Sequence, residues 1–283
     1  MTLTAATTAG ATTRGPVLEK IWLQHYPAGV PAEINPSEYR SLRELIEQAI
    51  AQHRDRPCFT CMDRTLTYGD LDVLASRFAA YLQRVARLRK GDRIALMLPN
   101  VLQYPVAILG AFRAGLTIVN TNPMYTPREL QHQLHDSGAR AILILENFAH
   151  TLAEVQHDVH LDTVIVTGVG DLLAFPKSLL VNFVLRHVKK QVPEYSLPGA
   201  VSLTEALSKG RYENLERVEL EHEDIAFLQY TGGTTGVSKG ATLTHGNLVA
   251  NVLQLEAWVQ PALNDTSRGP VPEQLVYVCA LPL

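Results

Sequence analysis

Arg93-Ile-Ala-Leu-Met-Leu98 is a short apolar run of the length expected for a buried strand. An apolar segment with helical character follows from Gln103 to Ala114, and a second strand-like run, Leu116-Thr-Ile-Val-Asn120, comes after it. Two short apolar strands joined through a helix are typical of a β-α-β crossover, which makes the two strands parallel. This stretch therefore predicts an α/β fold.

The same pattern extends over most of the chain. Helices are predicted at 41–50, 68–82 and 127–137. Two short strands are predicted within 58–68, and one strand each at 141–145, 163–167 and 225–229. Because strands of this kind are covered on both faces, we expect layered, largely parallel sheets flanked by helices.

Composition narrows the class of protein. The 283 residues are 46% hydrophobic, enough to bury the core of one large domain or two small ones. A net charge of -3, from 25 basic and 28 acidic residues, gives no reason to expect nucleic acid as a partner. No apolar run reaches the roughly 18 residues of a membrane-spanning helix. Residues 1–18 lack the apolar run of a signal peptide and are predicted to be a disordered arm.

Three cysteines, Cys58, Cys61 and Cys279, are too few for a disulfide framework, which favours a reducing, cytoplasmic compartment. Cys58 and Cys61 form a C-x-x-C pair. A zinc or redox site would need a second pair of ligands or a helix that begins at the thiol, and neither is visible in the sequence. We therefore interpret both as structural cysteines in a β-rich segment.

A loop rich in glycine and hydroxyl side chains carries the strongest functional signal. Its glycines allow tight turns with inward N–H groups, its hydroxyls add donors and its lysine adds a cation, which together suit a polyphosphate. It is not a Walker A loop, because Ser238 precedes Lys239 instead of following it. The alternative is a flexible surface turn. The candidate phosphate-binding residues are Thr231, Gly232, Gly233, Thr234, Thr235, Gly236, Ser238 and Lys239.

A helix is predicted to begin after this loop, with Thr244 as its N-cap. His245, in the first turn, has two interpretations: a catalytic base, or a packing or capping residue. The second is favoured, because a histidine in the first turn of a helix usually packs or caps.

Residues 171–190 predict an amphipathic basic insertion within 170–200. At 100° per residue, one side carries apolar residues and the other is polar and basic. The segment either packs on the core or lies on an anionic membrane surface, at the inner face of the cell membrane. The apolar side comprises Leu180, Val181, Phe183, Val184, Leu185 and Val188, and the polar side Asn182, Arg186, Lys189 and Lys190.

Leu275-Val-Tyr-Val-Cys-Ala-Leu281 predicts a central strand. Ligands of α/β proteins bind at the carboxyl ends of strands, so a chain that stops two residues after a central strand would lack the loop that completes its site. We therefore expect this chain to be a fragment.

The segment Tyr230–Ala241 resembles, nearly residue for residue, the signature loop of the adenylate-forming enzymes. This superfamily contains acyl-CoA synthetases, peptide-synthetase adenylation domains and beetle luciferases. The usual form of the loop has Ser where this chain has Gly233. Lys90–Asn100 and Ala114–Leu130 are similar to two further strand motifs of the family. Ile21–Ile34 is most similar to bacterial long-chain fatty acid-CoA ligases, as is Asn122-Pro-Met-Tyr125.

The resemblance implies that residues 19–283 are an incomplete N-terminal adenylating domain, without the small C-terminal domain. It implies ATP, Mg²⁺ and CoA as cofactors or co-substrates, and a fatty acid that is converted to acyl-AMP and passed to CoA. The main catalytic residues would lie beyond Leu283, so we expect the fragment alone to be inactive. The alternatives are a CoA ligase for another carboxylate, such as an aryl acid, and a non-catalytic nucleotide- or lipid-binding module.

Overall fold

The computed structural model describes residues 20–231, 238–271 and 273–280. Its strands are β1 (Pro57–Cys61), β2 (Arg64–Thr67), β3 (Arg93–Met97), β4 (Thr117–Asn120), β5 (Ala141–Leu145), β6 (Thr163–Thr167), β7 (Val201–Ser202), β8 (Ile225–Thr231) and β9 (Lys239–Thr244). Its helices are α1 (Leu42–His53), α2 (Tyr68–Ala80), α3 (Gln103–Arg113), α4 (Pro127–Ser137), α5 (Ala149–Val155), α6 (Lys177–Phe183), α7 (Leu203–Gly210) and α8 (His245–Leu263). The π-helical turns Tyr81–Val85 and Val184–Val188 extend α2 and α6.

A seven-stranded sheet with the order β7-β6-β5-β3-β4-β8-β9 forms the centre of the molecule. Every neighbouring pair is parallel except β8 and β9, which are antiparallel. The short strands β1 and β2 form a separate antiparallel hairpin. The α/β prediction and the largely parallel sheet are thus confirmed.

The central strands are buried on both faces, since successive side chains point to opposite sides of a sheet. In β5, Ala141, Leu143 and Leu145 join one apolar core together with residues of α2, α3 and α7. Ile142 and Ile144 join a second core, formed with residues of α4 and α5. Both faces of the strand are therefore covered, which explains why its sequence is continuously apolar instead of alternating.

Threonine side chains define the first residue of three helices. The side chains of Thr67, Thr126 and Thr244 each accept a hydrogen bond from the backbone N–H of the residue three positions later. The side chain of that later residue accepts in return from the backbone N–H of the threonine. These capping boxes satisfy donors that the first turn leaves unpaired. The predicted N-cap at Thr244 is confirmed. At its other end, α4 stops at Gly138, which adopts the left-handed conformation (φ 61°) that glycine tolerates without strain.

Most predicted helices and strands are present within one or two residues of their expected bounds, but the strand at 275–281 is wrong over its described part. Residues 275–280 have no regular secondary structure, and Val276 and Val278 are 89% and 90% exposed. An apolar run becomes a strand only when a neighbouring backbone pairs with it. The place beside β8 that such a strand could fill is taken by β9. The predicted arm, 1–18, lies outside the described residues.

The insertion is helical from Lys177 to Val188, and its orientation corrects the predicted division of its sides. Asn182 accepts a hydrogen bond from the Gly170 N–H (2.7 Å) and donates to Asp171 (2.9 Å), and Arg186 pairs with the buried carboxylate of Glu146. These polar groups therefore face the protein, because their partners lie there. The apolar side chains that point outward, 58–80% exposed, are Phe175, Leu179, Leu180, Phe183 and Val188.

Among the described residues, no helix combines the length and the apolar character needed to cross a bilayer.

His245, at the start of α8, is fully buried, and its ring lies 4.8 Å from that of Phe112, measured between centroids. Neither ring nitrogen has a hydrogen-bond partner in the part of the chain that the structure describes. Burial lowers the pKa of His245 from 6.5 to about 4. The negative charge of Asp224 acts in the opposite direction and raises the pKa, whereas the positive charges of Arg43 and Lys90 lower it further. The packing interpretation of His245 fits this environment, since a buried neutral ring cannot exchange protons with a substrate at neutral pH.

The burial of His245 predicts how stability depends on pH. The unfolded chain takes up the imidazole proton below pH 6.5, whereas the folded chain resists it down to about pH 4. This contribution to stability is complete above pH 6.5 and is lost as the pH falls toward 4. We expect the free energy of unfolding, measured by urea titration, to fall by about 2 kcal/mol more in the wild type than in His245→Leu between pH 7.5 and 5. Equal losses in the two proteins would contradict this.

Candidate functional site

A crevice opens at the carboxyl edge of the sheet, where the chain changes direction. From β3 the chain continues through α3 to β4, and from β4 it continues through α4 to β5 on the other side of β3. The loops after β3 and β4 therefore separate at this point, and open α/β sheets bind their ligands in such a gap. The cavity between them has a volume of about 750 Å³.

The crevice walls come from segments that are distant in sequence. Residues 98–100 follow β3, Asn120 ends β4 and residues 121–125 follow it, and Gln229 and Tyr230 belong to the end of β8. Met124, Tyr125 and Phe148 contribute apolar surface, whereas Asn120 and Gln229 contribute amides. An apolar cavity with a few convergent polar groups is the usual form of a small-molecule site.

Three polar side chains form the floor of this crevice. The Tyr104 hydroxyl donates to Asn120 Oδ1 (2.8 Å), and Asn120 Nδ2 donates to Gln229 Oε1 (2.8 Å). Burial raises the pKa of Tyr104 to about 12, so its phenol remains a donor at neutral pH. This chain of hydrogen bonds fixes the amide of Gln229 in the floor of the crevice.

The sequence interpretation did not single out these three residues. A signal was present for two of them, since Asn120 and Gln229 are polar residues near the ends of otherwise apolar strands. A polar residue at the carboxyl end of a buried parallel strand lies where such sheets bind ligands. Tyr104 had no comparable signal, because an aromatic residue in an apolar helix is normally a core residue.

The described part of the predicted phosphate loop lies at the same edge. Thr231 ends β8 and Lys239 begins β9, and the two are paired across the antiparallel ladder. The Ser238 hydroxyl donates to the Thr231 carbonyl (2.8 Å), which links the two sides of the loop. Gly232, Gly233, Thr234, Thr235 and Gly236 lie outside the described residues.

Lys239 gives this edge a positive charge. Its side chain is exposed, and no ion pair to it is found among the described residues. An exposed lysine without a carboxylate partner, at the edge where the strands end, is suited to an anionic ligand.

The C-x-x-C pair lies on β1, where the Cys61 thiol donates to the carbonyl of Asn100 (4.0 Å), a residue that lines the crevice. Burial raises the pKa of the Cys58 thiol to about 11, so a reactive thiolate is disfavoured at neutral pH. Within the described ranges no group of three or more His, Cys, Asp or Glu side chains is placed to hold a metal ion. The raised pKa agrees with the structural interpretation of Cys58.

Comparison with known proteins gives consistent results. The profile of the family described as AMP-binding enzyme matches residues 46–283. A long-chain-fatty-acid–CoA ligase of Escherichia coli O157:H7 is 51% identical over 266 residues, which are 94% of this chain and 46% of the relative. A long-chain-fatty-acid–CoA ligase of Bacillus subtilis is 34% identical over 92% of this chain and 46% of its own length. The chain thus spans about half the length of these curated relatives.

Solved structures share the fold. The crystal structure of a long-chain-fatty-acid–CoA ligase from Archaeoglobus fulgidus superposes with a TM-score of 0.62 at 28% identity, over 82% of this chain and 42% of that one. The family profile, which extends from residue 46 to residue 283, includes the residues that form the crevice and the strands on either side of the loop. This chain belongs to the AMP-binding enzyme family.

Proposed function

We propose that this chain is the nucleotide-binding part of a long-chain fatty acid–CoA ligase. The observation that supports it most directly is the position of Thr231, Ser238 and Lys239 beside the crevice at the carboxyl edge of the sheet. The identity to fatty acid–CoA ligases over nearly the whole chain supports the choice of substrate class.

In the proposed reaction a fatty acid carboxylate attacks the α-phosphorus of ATP, the bond between the α-phosphorus and its bridging oxygen breaks, and pyrophosphate leaves. The thiol of CoA then displaces AMP from the acyl adenylate. The demand on the protein in the first step is to hold and neutralise the leaving pyrophosphate. Lys239 would supply charge, and Thr231 to Gly236 would supply hydroxyl and N–H donors. The Ser238 hydroxyl, which already donates to Thr231, would hold the loop closed.

The described residues provide no carboxylate cluster for Mg²⁺. We therefore assign no metal ligand in this chain and derive no step through the ion. ATP itself would carry Mg²⁺ on its phosphate oxygens, as this cation prefers. CoA is proposed as co-substrate of the whole protein, without assigned contacts here.

Two other functions remain to be tested against this proposal: activation of an aryl acid, and nucleotide or lipid binding without catalysis. Exchange of labelled pyrophosphate into ATP by the full-length gene product separates them. Exchange that depends on long-chain fatty acids supports the ligase. Exchange that occurs only with aryl acids would indicate an aryl acid as the substrate. ATP binding without any exchange would indicate a binding module without catalysis. We expect no exchange from residues 1–283 alone, since they span only about half the length of the ligases that they match.

The loop assignment predicts a kinetic effect. In the full-length protein, replacing Thr234 and Thr235 together by alanine removes two hydroxyl donors to the phosphates. We expect the rate of adenylation, measured by pyrophosphate exchange, to fall about a hundredfold, as for loss of one or two such donors elsewhere. Thr204→Ala, on the exposed start of α7, is the control and should leave the rate unchanged. Normal kinetics in the double variant would remove the assignment.

We further propose that the insertion places the protein on the inner face of the cell membrane. Support comes from the outward side chains of Phe175, Leu179, Leu180, Phe183 and Val188, which would expose a large apolar patch to water. Lys189 and Lys190 are exposed at the end of the same helical segment. Apolar side chains flanked by cations suit an anionic lipid surface, and a ligase that takes fatty acids from a bilayer would benefit from it.

Liposome flotation of the full-length protein tests this contact. We expect Leu179→Ser with Phe183→Ser to weaken binding to anionic vesicles at least tenfold, because two inserted side chains are lost. Lys189→Glu with Lys190→Glu should weaken binding to anionic vesicles but not to neutral ones. Leu255→Ser, an equally exposed leucine on α8, is the matched control. If both double variants float like the wild type, the proposal fails.

A further inference from the structure

Helix α4 contacts both sides of the phosphate loop. The Tyr230 hydroxyl, one residue before Thr231, donates to Asp136 Oδ2 on α4 (2.6 Å). On the far side of the loop, His132 Nε2 donates to the Ser238 carbonyl (3.2 Å). His132 and Asp136 are four residues apart, so they lie on the same face of the helix. One helix face therefore contacts the chain on either side of residues 232–237.

The ring of Tyr230 can reach α4 because of the residue opposite it. Gly240 pairs with Tyr230 across the β8–β9 ladder. A Cβ atom at Gly240 would lie 2.9 Å from Tyr230 Cε2, closer than atoms of this kind approach each other. A glycine at this position thus leaves room for the ring, which is 8% exposed.

The hydrogen bond between Tyr230 and Asp136 is of a strong type. Burial, with the hydrogen bond to Asp136 as the next cause, raises the pKa of Tyr230 well above its usual value. The phenol therefore stays protonated over the physiological range and remains the donor. A short bond from a hydroxyl to a carboxylate is about twice as strong as one between neutral groups.

Helix α4 is itself firmly held. Its first turn is closed by the Thr126–Glu129 capping box, and Leu130 and Leu134 are buried in the core. In addition, Gln133 Nε2 donates to the Asn120 carbonyl at the end of β4 (2.9 Å). Since Asn120 also bonds Gln229, the helix, the crevice floor and both ends of the loop belong to one connected set of hydrogen bonds.

We propose that α4 positions the phosphate loop, with Asp136 and His132 as positioning residues that fix its two ends for binding of the pyrophosphate part of ATP. The inference rests on the proposed function for its ligand. Neither residue is proposed to touch the reacting atoms. Their effect is to hold Tyr230 and Ser238 in place before the nucleotide arrives, so that less ordering is required on binding.

The test uses the full-length protein and variants that change one contact at a time. Tyr230→Phe removes the hydroxyl and keeps the ring, and His132→Leu removes the second contact. His132→Gln retains an N–H donor and should restore much of what His132→Leu loses. Tyr212→Phe is the matched control, because Tyr212 is 80% exposed and follows α7 instead of belonging to α4 or the loop.

The first readout is amide hydrogen exchange without nucleotide. We expect Tyr230→Phe and His132→Leu to speed amide exchange in a peptide spanning 228–241 by up to about tenfold, within the range for loss of one hydrogen bond. A peptide spanning β5 should be unaffected, which separates local loosening from general destabilisation. Unchanged exchange in 228–241 would overturn the inference.

The second readout is binding of inorganic pyrophosphate, measured by calorimetry, and the KM for ATP. In Tyr230→Phe and His132→Leu we expect the dissociation constant of pyrophosphate and the KM for ATP each to rise about tenfold. The KM for fatty acid should stay unchanged. Faster amide hydrogen exchange without weaker pyrophosphate binding would overturn the positioning role and leave a purely structural contact. Failure of the proposed function looks different: the wild type would then show no pyrophosphate exchange with fatty acids, whereas amide exchange would still report on α4.

Discussion

The parallel pairing of β4 with β8 is the contact on which the candidate site depends. Ile118, Val119 and Asn120 pair with Phe227, Leu228 and Gln229, more than a hundred residues further along the chain. Closing so long a segment costs chain entropy, which burial of the apolar strand residues on both sides of the sheet offsets. Without this pairing, the loop after β8 would not lie beside the loops after β3 and β4.

Several features of the site follow from that register. Asn120 and Gln229 are direct partners, so their amides can bond and form the crevice floor with Tyr104. β8 in turn supports β9, and the tight antiparallel ladder brings Lys239 opposite Thr231. Helix α4, which leaves the end of β4, then lies close enough for Asp136 and His132 to contact both sides of the loop. The site is thus a consequence of sheet order more than of any single motif.

The sequence was sufficient for the parts of the fold that are encoded locally. Continuous apolar runs predicted β3 and β5, and hydroxyl residues before helical segments predicted the cap at Thr244, because these depend on neighbouring residues alone. The order of strands is decided by long-range pairing, which local patterns do not report. The run 275–281 illustrates the limit: it has the composition of a strand, but its described residues do not pair with a strand of the sheet.

The insertion at 171–190 shows the same limit at the level of side chains. Periodicity predicted one apolar and one polar side, but the structure divides the apolar residues: Val181 packs against the core, whereas Leu180 and Phe183 point outward. Asp171 and Glu146 provide partners that turn Asn182 and Arg186 toward the protein, whereas Lys189 and Lys190 are exposed. Likewise, the glycines and hydroxyls of the loop predicted a phosphate site, but the contribution of α4 to that site depends on residues about a hundred positions earlier.

The central claim is that nucleotide phosphates bind at the carboxyl edge beside β8 and β9. The most direct measurement is calorimetric titration of the full-length protein with a non-hydrolysable ATP analogue, comparing the wild type with Lys239→Ala and Lys209→Ala. Lys209 lies on α7 in an ion pair with Glu205 and serves as the charge-matched control. We expect the dissociation constant to rise at least tenfold in Lys239→Ala and to stay unchanged in Lys209→Ala. Equal affinity in all three proteins would contradict the claim.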